Sequence, residues 1–155
     1  MEGLLRVSSK EKTAVRLRLR TISKQETVEE RSELDVSGVF YLDHATGSRY
    51  LHYEEEQEAG VIRTVLKITD KEVLLMRSGA VSMRMHFFKE RKRSTVSVDY
   101  GVGKLMMESE LLNIDEVYED GELFAGKIDF QYELLDNGVN IGLFDVSMIL
   151  EEDKE

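Results

Sequence analysis

The chain has no cysteine, no proline and no tryptophan. Without cysteine there is no disulfide framework, no thiolate nucleophile and no zinc site built on sulfur, which suits a reducing compartment and sets the expectation of a cytoplasmic protein. Without proline, every backbone N–H is free to join a hydrogen-bond ladder. Long hydrophobic runs are missing too. Residues 1–6 offer two adjacent leucines, far short of a signal-peptide core or of the roughly 20 apolar residues of a membrane span, so no span is expected. Basic residues are scarce in the second part of the chain: residues 1–93 hold 18 Lys and Arg against 15 Asp and Glu, residues 94–155 hold 3 against 16, and the net charge is −10. A chain this acidic is repelled by phosphate backbones, and no nucleic-acid partner is expected.

What is present reads as strand. The 155 residues are 41% hydrophobic and 34% charged, a globular balance that suits one domain over 1–155 with an ordered core at about 13–150. Val15, Leu17 and Leu19 alternate with Arg16, Arg18 and Arg20, and Phe124, Ile128, Phe130, Tyr132 and Leu134 share one parity against Lys127, Asp129, Gln131 and Glu133. Period two marks half-buried strands; a helix would scatter those arginines around its axis. Short turn signals separate the runs: Thr46-Gly47, Asp70-Lys71, Ser78-Gly79, Gly101 to Gly103, Asp120-Gly121 and Asn137-Gly138. Strands are expected near 13–22, 27–42, 49–55, 61–69, 72–77, 80–88, 93–100, 103–113, 122–135 and 139–150. So many short-linked antiparallel strands curl and close, because closure removes exposed edges. The expected fold is all-β, an antiparallel meander closed into a barrel of about 8–10 strands. A change of parity beside Gly142 predicts a bulge or bend in the last strand.

Motifs for chemistry are few. Gly101-x-Gly103 lacks the following helix and the lysine-serine pair of a phosphate loop, so it reads as a hairpin turn. His44, His52 and His86 are scattered, and no metal site is read from them. Glu54, Glu55, Glu56 and Glu58 read as a solvated loop, and Lys89 to Arg93 as a charged hairpin tip. No nucleophile elbow is found. Nothing therefore argues for an enzyme, a catalytic residue or a cofactor. The methionines that fall in strands among aromatic residues read as core filler, with room for an apolar ligand as the alternative.

The stretch Met76-Arg77-Ser78-Gly79-Ala80-Val81-Ser82-Met83-Arg84-Met85-His86-Phe87, followed by Gly103-Lys104-Leu105, resembles the YwiB-like family of uncharacterised bacterial proteins. That resemblance implies a lipocalin-like (calycin-type) β-barrel and no established activity. The chain departs from the family at Val98-Asp99-Tyr100-Gly101-Val102-Gly103, where a Tyr-x-Thr-Pro-x-Gly turn is usual, and it lacks the tryptophan of true lipocalins.

Hairpin parity singles out candidate site residues. A two-residue Asp70-Lys71 loop sets Ile68 against Val73 and Leu66 against Leu75, which puts Arg77 on the apolar, inward face. A two-residue Ser78-Gly79 loop would then carry Ser82, Arg84 and His86 inward; a turn of another length would return Met83, Met85 and Phe87 to the core and Arg84 to solvent. An inward arginine needs a partner, and a ligand carboxylate or phosphate is one source, with Tyr132 as an added donor. Arg77, Arg84 and Tyr132 are thus the candidate ligand-binding residues. The expected function is a non-catalytic barrel holding a small apolar or anionic amphipathic molecule. The alternative is a protein-interaction module that uses its charged outer surface.

Overall fold

Alternate residues of a strand face opposite sides of a sheet, and in this chain the apolar set of every long run turns the same way. The computed structural model describes residues 10–153 apart from residue 80. Ten strands follow one another: β1 (Lys10–Gln25), β2 (Val28–Asp43), β3 (Arg49–Gln57), β4 (Gly60–Ile68), β5 (Glu72–Ser78), β6 (Ser82–Phe88), β7 (Arg93–Asp99), β8 (Lys104–Asp120), β9 (Phe124–Asp136) and β10 (Val139–Glu152). Each pairs antiparallel with its sequence neighbours, and β10 returns to β1 to close the barrel. No helix lies among the described residues, and so none is long and apolar enough to cross a membrane.

The core fills the inside of this ring. Val15 and Leu17 of β1, Leu51 of β3, Leu66 and Ile68 of β4, Phe87 of β6, Phe130 of β9 and Leu150 of β10 are buried in one cluster, while Arg16 and Arg18 lie exposed between them. Closure sets Leu17 opposite Val36 on one side and Leu150 on the other, so one inward parity runs around the seam without a slip.

The hairpins show what turn chemistry dictates and what it leaves open. Asp70-Lys71 is the two-residue loop expected, with the Thr69 amide donating to Glu72 O at 2.9 Å, Ile68 opposite Val73 and Thr64 opposite Arg77. The Ser78-Gly79 loop is longer than two residues. Arg77 pairs with Met83, which turns Met83, Met85 and Phe87 inward and leaves Arg84 on the outer face. Gly79 fixes that choice, because it has φ +141° and a Cβ there would stand 2.4 Å from Val61 O, so the turn folds tightly over β4 as only glycine allows. The bulge expected beside Gly142 is found between Asn140 and Gly142, and a second lies between Leu111 and Asn113 in β8. That second bulge lets β8 run to Asp120, well past the expected end at 113.

The strands are unequal. β1 and β2 have 16 residues each, whereas β3 has 9. β2 pairs with β3 only from Gly38 opposite Tyr53 to Leu42 opposite Arg49, and beyond Gly38 the two part. Gly38 stands at the point of divergence, where a Cβ would lie 2.8 Å from His52 O. Gly38→Val should therefore force the strands apart and cost about 1–3 kcal/mol, the usual range for overpacking. Gly103→Ala, at a glycine with open space around it, should stay within about 0.5 kcal/mol. Urea unfolding midpoints of the two variants check this, and equal midpoints would refute the contact.

Candidate functional site

Apolar alternation fills most of the lumen, so an inward polar side chain has to find a partner inside it. Among the described residues, besides buried hydroxyls such as Thr64 and Ser109, two inward ion-paired groups occur, one towards each end of the barrel.

The first is built on Arg49, which faces inward at the start of β3, and Glu116, which faces inward in β8 beyond the bulge. Arg49 Nε donates to Glu116 Oε1 at 2.8 Å and Nη2 donates to Oε2 at 2.6 Å, a forked pair across the lumen. Tyr118 Oη donates to Glu116 Oε1 at 2.6 Å, Arg49 Nη1 donates to Gly47 O at 2.6 Å, and Lys89 Nζ lies 3.8 Å from Oε2. The two side chains are 16% and 12% exposed, so the pair is largely shielded. Burial alone would raise the Glu116 carboxyl, but hydrogen bonds from Arg49 and Tyr118 and the charges of Arg49 and Lys89 outweigh it and hold the group below its usual value. The bond to Glu116 raises Arg49 against its own desolvation, and burial pushes the Tyr118 phenol far up. Phe40 stacks on Phe124 at 4.9 Å and leans on Tyr118 at 5.2 Å. Aromatic rings and an ion pair thus plug this end.

The second group contains Arg77, inward as its parity required. Its partner is Glu55: Nη2 donates to Oε1 at 2.9 Å, with the side chains 32% and 14% exposed. Gln57 Nε2 donates to Glu55 Oε2 at 3.1 Å. Arg77 Nε is buried and has no partner among the described residues. The expectation of a solvated acidic loop at 54–58 is therefore corrected. Residues 54–57 are strand, and alternation sends Glu55 inward opposite Ile62.

Beside this pair lies a cavity of about 430 Å³, bounded by Leu19, Leu75, Met83, Phe144 and Met148 and rimmed by Ser32, Glu33 and Gln57. Tyr132 stands in its wall, stacked on Phe144 at 4.9 Å and 5.0 Å from Phe87. Burial raises the Tyr132 phenol well above its ordinary value despite the charge of Arg77, so it stays protonated. Its hydroxyl has no hydrogen-bond partner among the described residues. Arg77 and Tyr132 are thus brought to one cavity. Arg84 is not: it lies on the outer face, with Nη1 3.4 Å from Met76 Sδ. The histidines remain apart, His44 beside Glu11 and His86 beside Glu72, and no group of three or more metal-ligating side chains forms among the described residues.

Three comparisons bear on this arrangement. A family model described as Domain of unknown function (DUF1934) matches residues 17–148. The Uncharacterized beta-barrel protein YwiB of Bacillus subtilis (strain 168) is 27% identical over 126 residues, covering 81% of this chain and 84% of that protein. The crystal structure of ywiB protein from Bacillus subtilis superposes with a TM-score of 0.80 over 94% of this chain and 96% of the other, at 22% identity, a likeness of fold.

The plugged end yields a stability prediction with a defined sign. Arg49→Met strands the Glu116 carboxylate and should cost about 3–5 kcal/mol, while Arg49→Met with Glu116→Leu should recover most of that loss. Because the folded carboxyl titrates below its unfolded value near 4.5, its contribution is present above that value and fades as pH falls through the lower, folded one. Glu116→Gln should therefore be less stable than the parent at pH 7, with the gap closing below about pH 4.5. Urea melts across pH 3–7 (about that range suffices to span the carboxylate titration) test the sign; a gap that widens in acid refutes it.

Proposed function

The chain belongs to the DUF1934 family, and from that premise we propose that it is a non-catalytic barrel holding a small amphipathic molecule in the cavity beside Arg77 and Tyr132. The observation that carries the proposal is the buried, unpartnered Nε of Arg77 beside an apolar cavity whose wall also holds the Tyr132 hydroxyl. A buried N–H donor without a partner costs free energy that a ligand oxygen would return. At about 430 Å³ the cavity falls within the range of small-molecule sites, and leucine, methionine and phenylalanine with a few convergent polar groups is their usual lining.

The charge of the ligand follows from Glu55. Arg77 already has a carboxylate at 2.9 Å, so the site has little need of a ligand anion. A hydroxyl or carbonyl head fits better: it can accept from Arg77 and exchange a hydrogen bond with Tyr132 while its apolar body lies against Leu19, Met83 and Phe144. An anionic head would first have to displace Glu55. Arg84 takes no part in this arrangement. The lipocalin-like character of the barrel and a cytoplasmic workplace, suited to a chain without cysteine, belong to the same proposal.

Native mass spectrometry of the purified protein against denaturing spectra should show a small extra mass. With decanol and decanoate as defined probes, calorimetry should find the alcohol bound more tightly than the acid. Tyr132→Phe and Arg77→Met should each weaken decanol about tenfold, the worth of one buried hydrogen bond. Unchanged decanol affinity in both variants, with thermal midpoints confirming that they fold, would overturn the assignment.

A further inference from the structure

The divergence of β2 from β3 opens a groove that adjoins the cavity, shares Leu34, Tyr53, Glu55 and Gln57 with it, and has free strand edges that the proposed ligand does not use. Beyond Gly38, residues 28–37 of β2 are hydrogen-bonded to β1 on one side only, and residues 54–57 of β3 are bonded to β4 on one side only. A strand paired along a single edge presents alternate N–H and C=O groups along the other. Two such edges face each other across a groove of about 810 Å³, lined on its inner side by Leu34, Val36 and Tyr53.

Alternation gives the groove two distinct levels. The inward residues are Leu34 and Val36 on β2 and Tyr53 and Glu55 on β3, whereas the outward ones are Glu29, Arg31, Glu33 and Asp35 on β2 and Glu54 and Glu56 on β3, with Arg31 engaged by Glu29 at 3.4 Å. Asp35 is engaged by Arg16 at 2.5 Å and Glu54 by Arg63 at 2.9 Å, but Glu33 and Glu56 have no ion pair among the described residues. A second copy of this chain would bring the same acidic edge against itself, and like charges set opposite one another oppose such pairing.

We infer that the seam between β2 and β3 is a docking site for an extended segment of a partner protein, alternating apolar and basic residues, that adds as a strand to the β2 edge. Its backbone would take up the free hydrogen-bonding groups of residues 28–37. Its apolar side chains would face Leu34, Val36 and Tyr53, and its lysines or arginines would face Glu33 and Glu56. Main-chain bonds give such a mode its affinity and the alternating side chains its specificity.

The test uses the full chain and three capped ten-residue peptides: alternating lysine and valine, alternating glutamate and valine, and the lysine–valine peptide N-methylated at every second residue. The first should slow hydrogen exchange of alternate amides within 28–37 at least tenfold, and its affinity should fall as salt rises. Glu33→Lys with Glu56→Lys, both at exposed positions, should weaken it at least tenfold. Equal binding of the N-methylated peptide would reduce the effect to general attraction by an acidic protein and overturn the proposal. Equal binding of the glutamate peptide would do the same. So would a concentration-dependent dimer with protection confined to residues 28–37, which would make a second copy the occupant.

Discussion

The pairing of β10 with β1 is the constraint on which the rest of the structure depends. Ten consecutive residues of β1, Val15 to Lys24, have a partner on β10 and another on β2. This doubly held strand turns a sheet with two edges into a ring with one inside. Once the ring is closed, the parity of each hairpin decides whether a side chain meets the core or solvent, and a one-residue slip anywhere would turn a strand's apolar set outward. Closure is also what makes the inward charges interact, since β3 and β8 are remote in the strand order and meet only across the lumen.

The two inward pairs differ in shielding, and their roles follow from that. Arg49 and Glu116 are 16% and 12% exposed, their hydrogen bonds are forked, and Tyr118 and Gly47 take up further bonding capacity. A shielded pair of this kind roughly balances its own desolvation, so its effect lies less in net stability than in admitting one arrangement of β3 against β8. Arg77 is 32% exposed, keeps an unpartnered Nε, and borders a cavity. The barrel is thus finished at one end and unsatisfied at the other, which is why the second end is the place to expect a ligand.

Most of the architecture was legible in the sequence because period two is a local property. Ten strands, the Asp70-Lys71 loop, the bulge beside Gly142 and the inward position of Arg77 all follow from alternation and turn chemistry. Pairings across the lumen were not legible. Nothing local joins Arg49 to Glu116, 67 residues away, and Glu116 itself interrupts the apolar alternation that would have carried β8 past residue 113. Glu55 was hidden among other glutamates, although strict parity counted from Leu51 and Tyr53 points it inward. The length of the Ser78-Gly79 loop was undecidable for a different reason: it is settled by the approach of Gly79 to the backbone of Val61, a tertiary contact that adjacent residues do not encode.

Unequal strand lengths have a consequence that closure cannot remove. At about 3.3 Å per residue, a strand of 16 residues overhangs one of 9 by roughly 20 Å. β1 carries its share of that overhang between β2 and β10, but β2 has only β1 beside it past Gly38. A ring built this way must have a seam, and a seam has edges that invite pairing. Charge is the device that manages such edges, and here it is mostly of one sign: Glu29, Glu30, Glu33 and Asp35 along β2, relieved by Arg31 alone, against Glu54, Glu56 and Glu58 along and just past β3. Mixed charge would discourage every incoming strand alike. A seam acidic on both sides repels a copy of itself, yet attracts a strand of opposite charge, so the feature that opposes pairing with its own edge is the one on which the proposed basic partner rests.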